Sequence, residues 1–267
     1  MVLQQEQRGG SLMEKLMNDE LPEATTSRLI KHFTDFPQHL LVVFDPSESA
    51  LSALVQVNPK LTRALVQIYL LSTGRDMTER DEILYTLQRL PVNLSVLEML
   101  NHLVIMATAT ARGSGSGVSG INGSQPLLTK QEIDILLHGY LSNAMRKAEG
   151  LGSASGPSNT PNMYNTTGEA GYFTASNGSG TGLLTPGGRG TVAPGQGGLT
   201  DMEARTKQVH IVRLLCLFIG SLIKGGIMRV EEYFCEIQEL GVRYIFVKEA
   251  RELWQRVNTV KYDSYSK

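Results

Sequence analysis

Apolar residues in this chain recur at helical spacing and almost never alternate with polar ones. In Lys60–Ser72, Leu61, Ala64, Leu65, Ile68 and Leu71 fall on one face of a helix. Between Lys207 and Val257 apolar side chains occupy nearly every face, and a helix that is hydrophobic almost all round must be enclosed by others. With period-two patterning nearly absent, no sheet is expected. Start and stop signals divide the run into elements. Asp45-Pro46-Ser47-Glu48 reads as a capping acid followed by proline at the first helical position, and Asn58-Pro59 repeats the device. Ser95-Val96-Leu97-Glu98 and Thr129-Lys130-Gln131-Glu132 read as capping boxes that open helices near 96–110 and 130–148. A long helix from about Met202 should stop at Gly225-Gly226, and Val230–Leu240 and Tyr244–Val257 follow as two more.

The prediction is therefore all-α: a single helical domain of about 8–10 antiparallel-packed helices, interrupted by a long disordered Gly/Ser-rich insertion. Residues 112–126 form a Gly/Ser loop, and 150–200 hold almost no charge and little to bury, too little to offset their ordering entropy. The expected division is a flexible segment at 1–24, the first part of the domain at 25–149, the disordered insertion at 150–200, the last three helices at 201–258 and a flexible tail at 259–267.

Composition narrows the function. With 25 basic and 26 acidic residues the formal charge is −1, which argues against phosphate-backbone affinity, so no direct nucleic acid partner is expected. Residues 209–223 are the one membrane candidate; the run is short for a span and carries Arg213, so a core helix is expected. MVLQQEQRGG lacks the layout of a secretion signal. Cys216 and Cys235 stand on apolar helix faces without a CxxC partner and read as buried structural thiols.

Patterns that could carry chemistry fail on context. Gly115-Ser116-Gly117-Val118-Ser119-Gly120 fits GxGxxG literally, but a helix precedes it and low-complexity sequence follows, whereas a dinucleotide fingerprint needs a strand before it and a helix after. The five histidines are scattered; Asp134 and His138 share i,i+4 spacing but have no third ligand nearby, so a hydrogen-bonded pair is the reading. Glu231, Glu232, Glu236 and Glu239 read as a solvated face. No catalytic residue, cofactor or metal site is assigned, and no enzyme is expected. Asn101, Asn143 and Arg213 stand inside apolar helices and read as hydrogen-bond nodes between helices, or as the lining of a groove. Arg213, Arg229, Tyr233, Arg251 and Trp254 are the candidate partner-binding residues, since arginine and large aromatics populate interface hot spots, with a core role as the alternative for Tyr233 and Trp254.

VNPKLTRAL (57–65), LEMLNHL (97–103), YLSNAM (140–145), IVRLLCLFIGSLI (211–223), RVEEYFCEIQEL (229–240) and VKEARELW (247–254) occur in that order. As an ordered set they resemble the C-terminal domain of subunit 11 of the Ccr–Not complex, the eukaryotic messenger RNA deadenylase assembly. The resemblance implies an α-helical, non-catalytic subunit in the cytoplasm and nucleus. It implies association with subunit 10 and the large scaffold subunit, and a surface that recruits a further regulator. A helical RNA-binding module, or an unrelated helical adaptor, is the alternative.

Overall fold

The computed structural model describes residues 12–73, 77–113, 127–152 and 201–265. Among them are eleven helices and no strand: α1 (12–18), α2 (Glu23–Asp35), α3 (Pro37–Val43), α4 (Glu48–Val57), α5 (Pro59–Ser72), α6 (Met77–Arg89), α7 (Leu94–Gly113), α8 (Lys130–Gly152), α9 (Asp201–Lys224), α10 (Phe234–Arg243) and α11 (Lys248–Tyr265). The all-α expectation is borne out. The additional helix is α1, inside the segment expected to be flexible: Met13 and Leu16 are buried there. At the other end α11 continues to Tyr265, past the expected start of the tail. The GxGxxG match, most of the Gly/Ser loop and residues 153–200 lie outside the described residues.

Two capping assignments move by a residue or two. Ser47, not Asp45, caps α4: its hydroxyl accepts from the Ala50 amide, while Asp45 accepts from the Ser47 amide and hydroxyl. Asn93, not Ser95, caps α7, accepting from the Val96 amide at 2.9 Å. Both cases follow one rule, that the cap is the residue whose side chain reaches the first free amides. The Thr129 box forms as expected, with the Thr129 amide on Glu132 Oε2 at 2.6 Å and the Glu132 amide on Thr129 Oγ1 at 3.2 Å. Gly226, at φ 65°, ends α9 in the left-handed conformation that glycine adopts without Cβ strain.

Asn58 does something other than cap. Its backbone precedes the α5 proline, but its side chain turns back on the amino-terminal segment. It accepts from the Leu21 amide and donates to the Leu16 and Asp19 carbonyls, at 2.7–2.9 Å. One buried amide thereby ties α1 and the α1–α2 turn to the α4–α5 corner.

The core is continuous. α2 to α5 form an amino-terminal group, and α7 links α4 and α5 to α9. Val96, Leu100, Leu103, Val104 and Ala107 of α7 are fully buried between these layers. α8 packs on both α6 and α9. Its partners run antiparallel along α9, where Ala148 meets Gln208 and Tyr140 meets Phe218. Along α6 they run parallel, because α7 returns the chain before α8 begins. By length and composition α9 could cross a membrane, so the apolar run is not too short for one. In this fold its Val212, Leu215, Cys216, Ile219 and Leu222 are buried, and the helix packs on α7, α8 and α11.

One ionic group is buried at the joint of these layers. Arg80 of α6 is 4% exposed. Its Nη1 donates to the Leu70 carbonyl at the end of α5 (2.6 Å), and its Nη2 to the Leu127 carbonyl before α8 (2.7 Å) and to Glu132 Oε2 (3.2 Å). Its Nε is paired with Glu132 Oε1. A buried ion pair is tolerable only when the remaining donors and acceptors are met, and here they are. Burial would raise the Glu132 pKa, but the Arg80 hydrogen bond, the two Thr129 bonds and the Arg80 charge outweigh it, so the carboxyl is held below its ordinary value.

Arg80→Ala should cost about 3–5 kcal/mol, because it leaves the part-buried Glu132 carboxylate and the Leu70 and Leu127 carbonyls without their donor; urea unfolding measures this. Since the Glu132 pKa is lower folded than unfolded, its contribution is present above the ordinary carboxylate range and is lost as pH falls through the folded value. Glu132→Gln should therefore lower neutral-pH stability and flatten the acid limb, read by urea midpoints between about pH 7 and about pH 3.

Candidate functional surface

Apart from a 580 Å³ hollow between the α1–α2 turn and the α4–α5 corner, three places around α8 to α11 combine polar groups with concavity or convergence. The first is the joint of α8 and α10. Lys130, Asp134 and His138 follow one another at i,i+4 along α8 and face the segment 232–236. Lys130 bridges Asp134 (2.7 Å) and Glu232 (2.9 Å), the fully buried Tyr233 donates its hydroxyl to Asp134 (3.0 Å), and His138 Nδ1 meets Glu236 at 2.5 Å. The His138 and Tyr233 rings stack at 4.2 Å. Burial, then the Asp134 bond and the surrounding carboxylates, push the Tyr233 hydroxyl well above its ordinary pKa, so it is a fixed donor. Asp134 and His138 are thus each hydrogen-bonded, but to α10 and its lead-in rather than to each other. Among the described residues no three His, Cys, Asp or Glu side chains converge as metal ligands. The joint reads as a clasp.

The five candidate contact residues divide. Tyr233 belongs to that clasp, and Trp254 is half-buried against Phe234, with ring centroids 5.5 Å apart. Gly241 lets the Trp254 side chain approach: a Cβ there would stand 2.5 Å from Trp254 Cβ. Arg213, Arg229 and Arg251 are exposed. Arg213 joins α9 to α11 through Glu249 at 2.8 Å, a node of the kind its setting suggested, and Arg229 lies 3.6 Å from Glu232. Asn143 is likewise a node, donating to the Gln88 carbonyl at 3.2 Å, whereas the buried Asn101 Oδ1 has no partner among the described residues. Cys216 is buried, and burial with the Glu249 charge pushes its thiol up to about 12. Cys235 is exposed, against expectation. α10 begins only at Phe234, and its inward positions are Ile237, Leu240 and Gly241.

The second place is a 290 Å³ groove between α9 and α11, with Leu217, Gly220 and Lys224 on one wall and Glu252 and Arg256 on the other. The third is larger, at 900 Å³. It opens between the end of α8, the start of α9 and the α10–α11 turn, and is lined by Glu149, Arg205, Gln208, Val209, Arg243, Tyr244 and Phe246. Tyr244 is 3% exposed, and its hydroxyl is buried without a hydrogen-bond partner among the described residues, a situation that costs about 1–3 kcal/mol. Burial raises its pKa, with the Arg243 charge opposing and Glu239 reinforcing, so it remains a donor. Val242, Ile245 and Phe246 are exposed beside it. Sequence reasoning missed this group. The signal was Val242-Arg243-Tyr244-Ile245-Phe246-Val247, too apolar for a turn, of which Tyr244–Val247 reads as the start of the last helix.

The fold and surface define an all-helical domain whose last three helices carry two of these grooves and a turn with Val242, Ile245 and Phe246 exposed. Residues 199–258, which cover those three helices up to Asn258, match the family model described as CCR4-NOT transcription complex subunit 11. A CCR4-NOT transcription complex subunit 11 from Dictyostelium discoideum is 33% identical over 58 residues, which is 22% of this chain and 9% of that protein. The carboxy-terminal segment therefore carries the sequence signature of that family, as its motifs suggested. The chain spans about a tenth of the curated relative's length. The motifs between 57 and 145 lie outside the matched stretch.

Gly241→Ala should destabilise the protein by about 1–3 kcal/mol through overpacking against Trp254. Gly220→Ala, whose Cβ would meet nothing within 4 Å, should be neutral or stabilise by up to about 1 kcal/mol. Thermal melts of the two variants test the contrast.

Proposed function

We propose that this chain is a non-catalytic adaptor subunit of the Ccr–Not complex, acting in messenger RNA deadenylation and decay through protein–protein contacts. One observation carries the reading: the segment that matches the subunit 11 family is also the segment that builds the grooved, partly apolar outer face. Exposed aliphatic and aromatic side chains around a concavity are what a protein partner would cover. The polar convergence on α8 and α10 is consumed in holding two helices together, which supports a role without chemistry. Subunit 10 and the large scaffold subunit are the partners this reading supplies. Cytoplasm and nucleus are the compartments in which it works.

Affinity purification of the tagged protein followed by mass spectrometry should recover the deadenylase subunits; their absence overturns the assignment. The purified protein incubated with magnesium and an adenylate tract should leave the tract intact. Shortening abolished by chelation would instead make it a metal-dependent nuclease.

A further inference from the structure

The groove at the α10–α11 turn joins three properties that point to a specific occupant. Its wall includes Tyr244, whose ring side lines the concavity while its hydroxyl is buried behind it without a hydrogen-bond partner among the described residues. Its rim is apolar: Phe246 is 62% exposed, Val242 and Ile245 are exposed beside it, and Val209 lines the opposite side. Its charge is unevenly satisfied. Arg243 is engaged by Glu149 and Glu239, while Arg205 pairs with no described carboxylate.

We propose that this groove docks a short peptide segment of another protein, one in which a large apolar side chain stands next to a carboxylate. The apolar side chain packs between Phe246 and Val209, and Arg205 holds the carboxylate. A charge-assisted bond to guanidinium fixes orientation, and the aromatic anchor supplies burial. Glu149 and Glu239 beside the groove disfavour a phosphate backbone. The inference rests on the adaptor reading in that it gives the adaptor's surface an occupant.

The test pans a phage-displayed library of random peptides, about a dozen residues long, against the whole chain. Selected peptides should share a large apolar residue flanked by Asp or Glu. Phe246→Ala and Arg205→Glu should each weaken them about tenfold or more, with melting temperature unchanged because both side chains are exposed. Peptides lacking the pattern, or binding to Phe246→Ala within about twofold of the unsubstituted chain, overturn the proposal. A photo-reactive benzoylphenylalanine in place of Phe246 supplies a second readout. Cross-linking to the selected peptide supports the proposal. Covalent dimers, or links to the chain's own 153–200, give the groove to those occupants and overturn it. If the peptides bind but the tagged protein recovers no deadenylase subunit, the adaptor assignment falls and the groove stands. The reverse pattern sinks the groove alone.

Discussion

The arrangement of the helices depends on one buried guanidinium. Arg80 reaches the carboxyl end of α5, the strand of chain leading into α8 and the first turn of α8 itself. Each contact fixes a different segment, and none would be made by an apolar side chain of similar size. Hydrophobic burial is non-directional and would tolerate several registers of α6 against α8. The fork geometry of arginine does not tolerate them. Glu132 serves twice, as the partner of Arg80 and as the return arm of the α8 capping box. The start of α8 and the register of α6 against it are thus set by a single carboxylate.

A similar economy governs the carboxy-terminal helices. The turn leading into α10 is held to α8 by Tyr233 and Glu232, and α10 itself by Glu236. α11 is held to α9 by the Arg213–Glu249 pair and to α10 by Trp254 over Gly241. The walls of the α10–α11 groove therefore come from elements that are each anchored elsewhere. Concave sites on a rigid frame need less ordering when something enters them.

Much of the fold was legible because helical periodicity and capping chemistry are local. The Thr129 box, the Gly226 stop and the enclosed α9 needed only neighbouring residues. The α5 face is turned from the expected one, burying Leu61, Leu65, Val66, Tyr69 and Leu70 and exposing Leu71. What escaped was long-range. Asn58 read as a cap because the residues it binds, Leu16, Asp19 and Leu21, are distant in sequence. Arg80 drew no attention because nothing beside it announces burial. Cys235 read as internal on a helix expected from Val230, whereas α10 begins at Phe234 and turns Ile237, Leu240 and Gly241 inward, leaving Cys235 on the outer face. Of the candidate contact residues, the three arginines lie at the surface and Tyr233 is internal. The groove at Tyr244 and Phe246 was hidden because an apolar turn looks like a helix.

The antiparallel pairing of α8 and α9 has a consequence for how this chain can vary. Ala148 and Gln208 are bonded to each other, so the chain leaves α8 and re-enters α9 at the same end of the domain. Whatever lies between those two points closes a loop whose entropy grows only as the logarithm of its length, at about 0.6 kcal/mol for each doubling. Relatives of this protein are free to carry a long, short or compositionally unrelated stretch there while keeping the same helices, so length differences between them should collect at this one doorway.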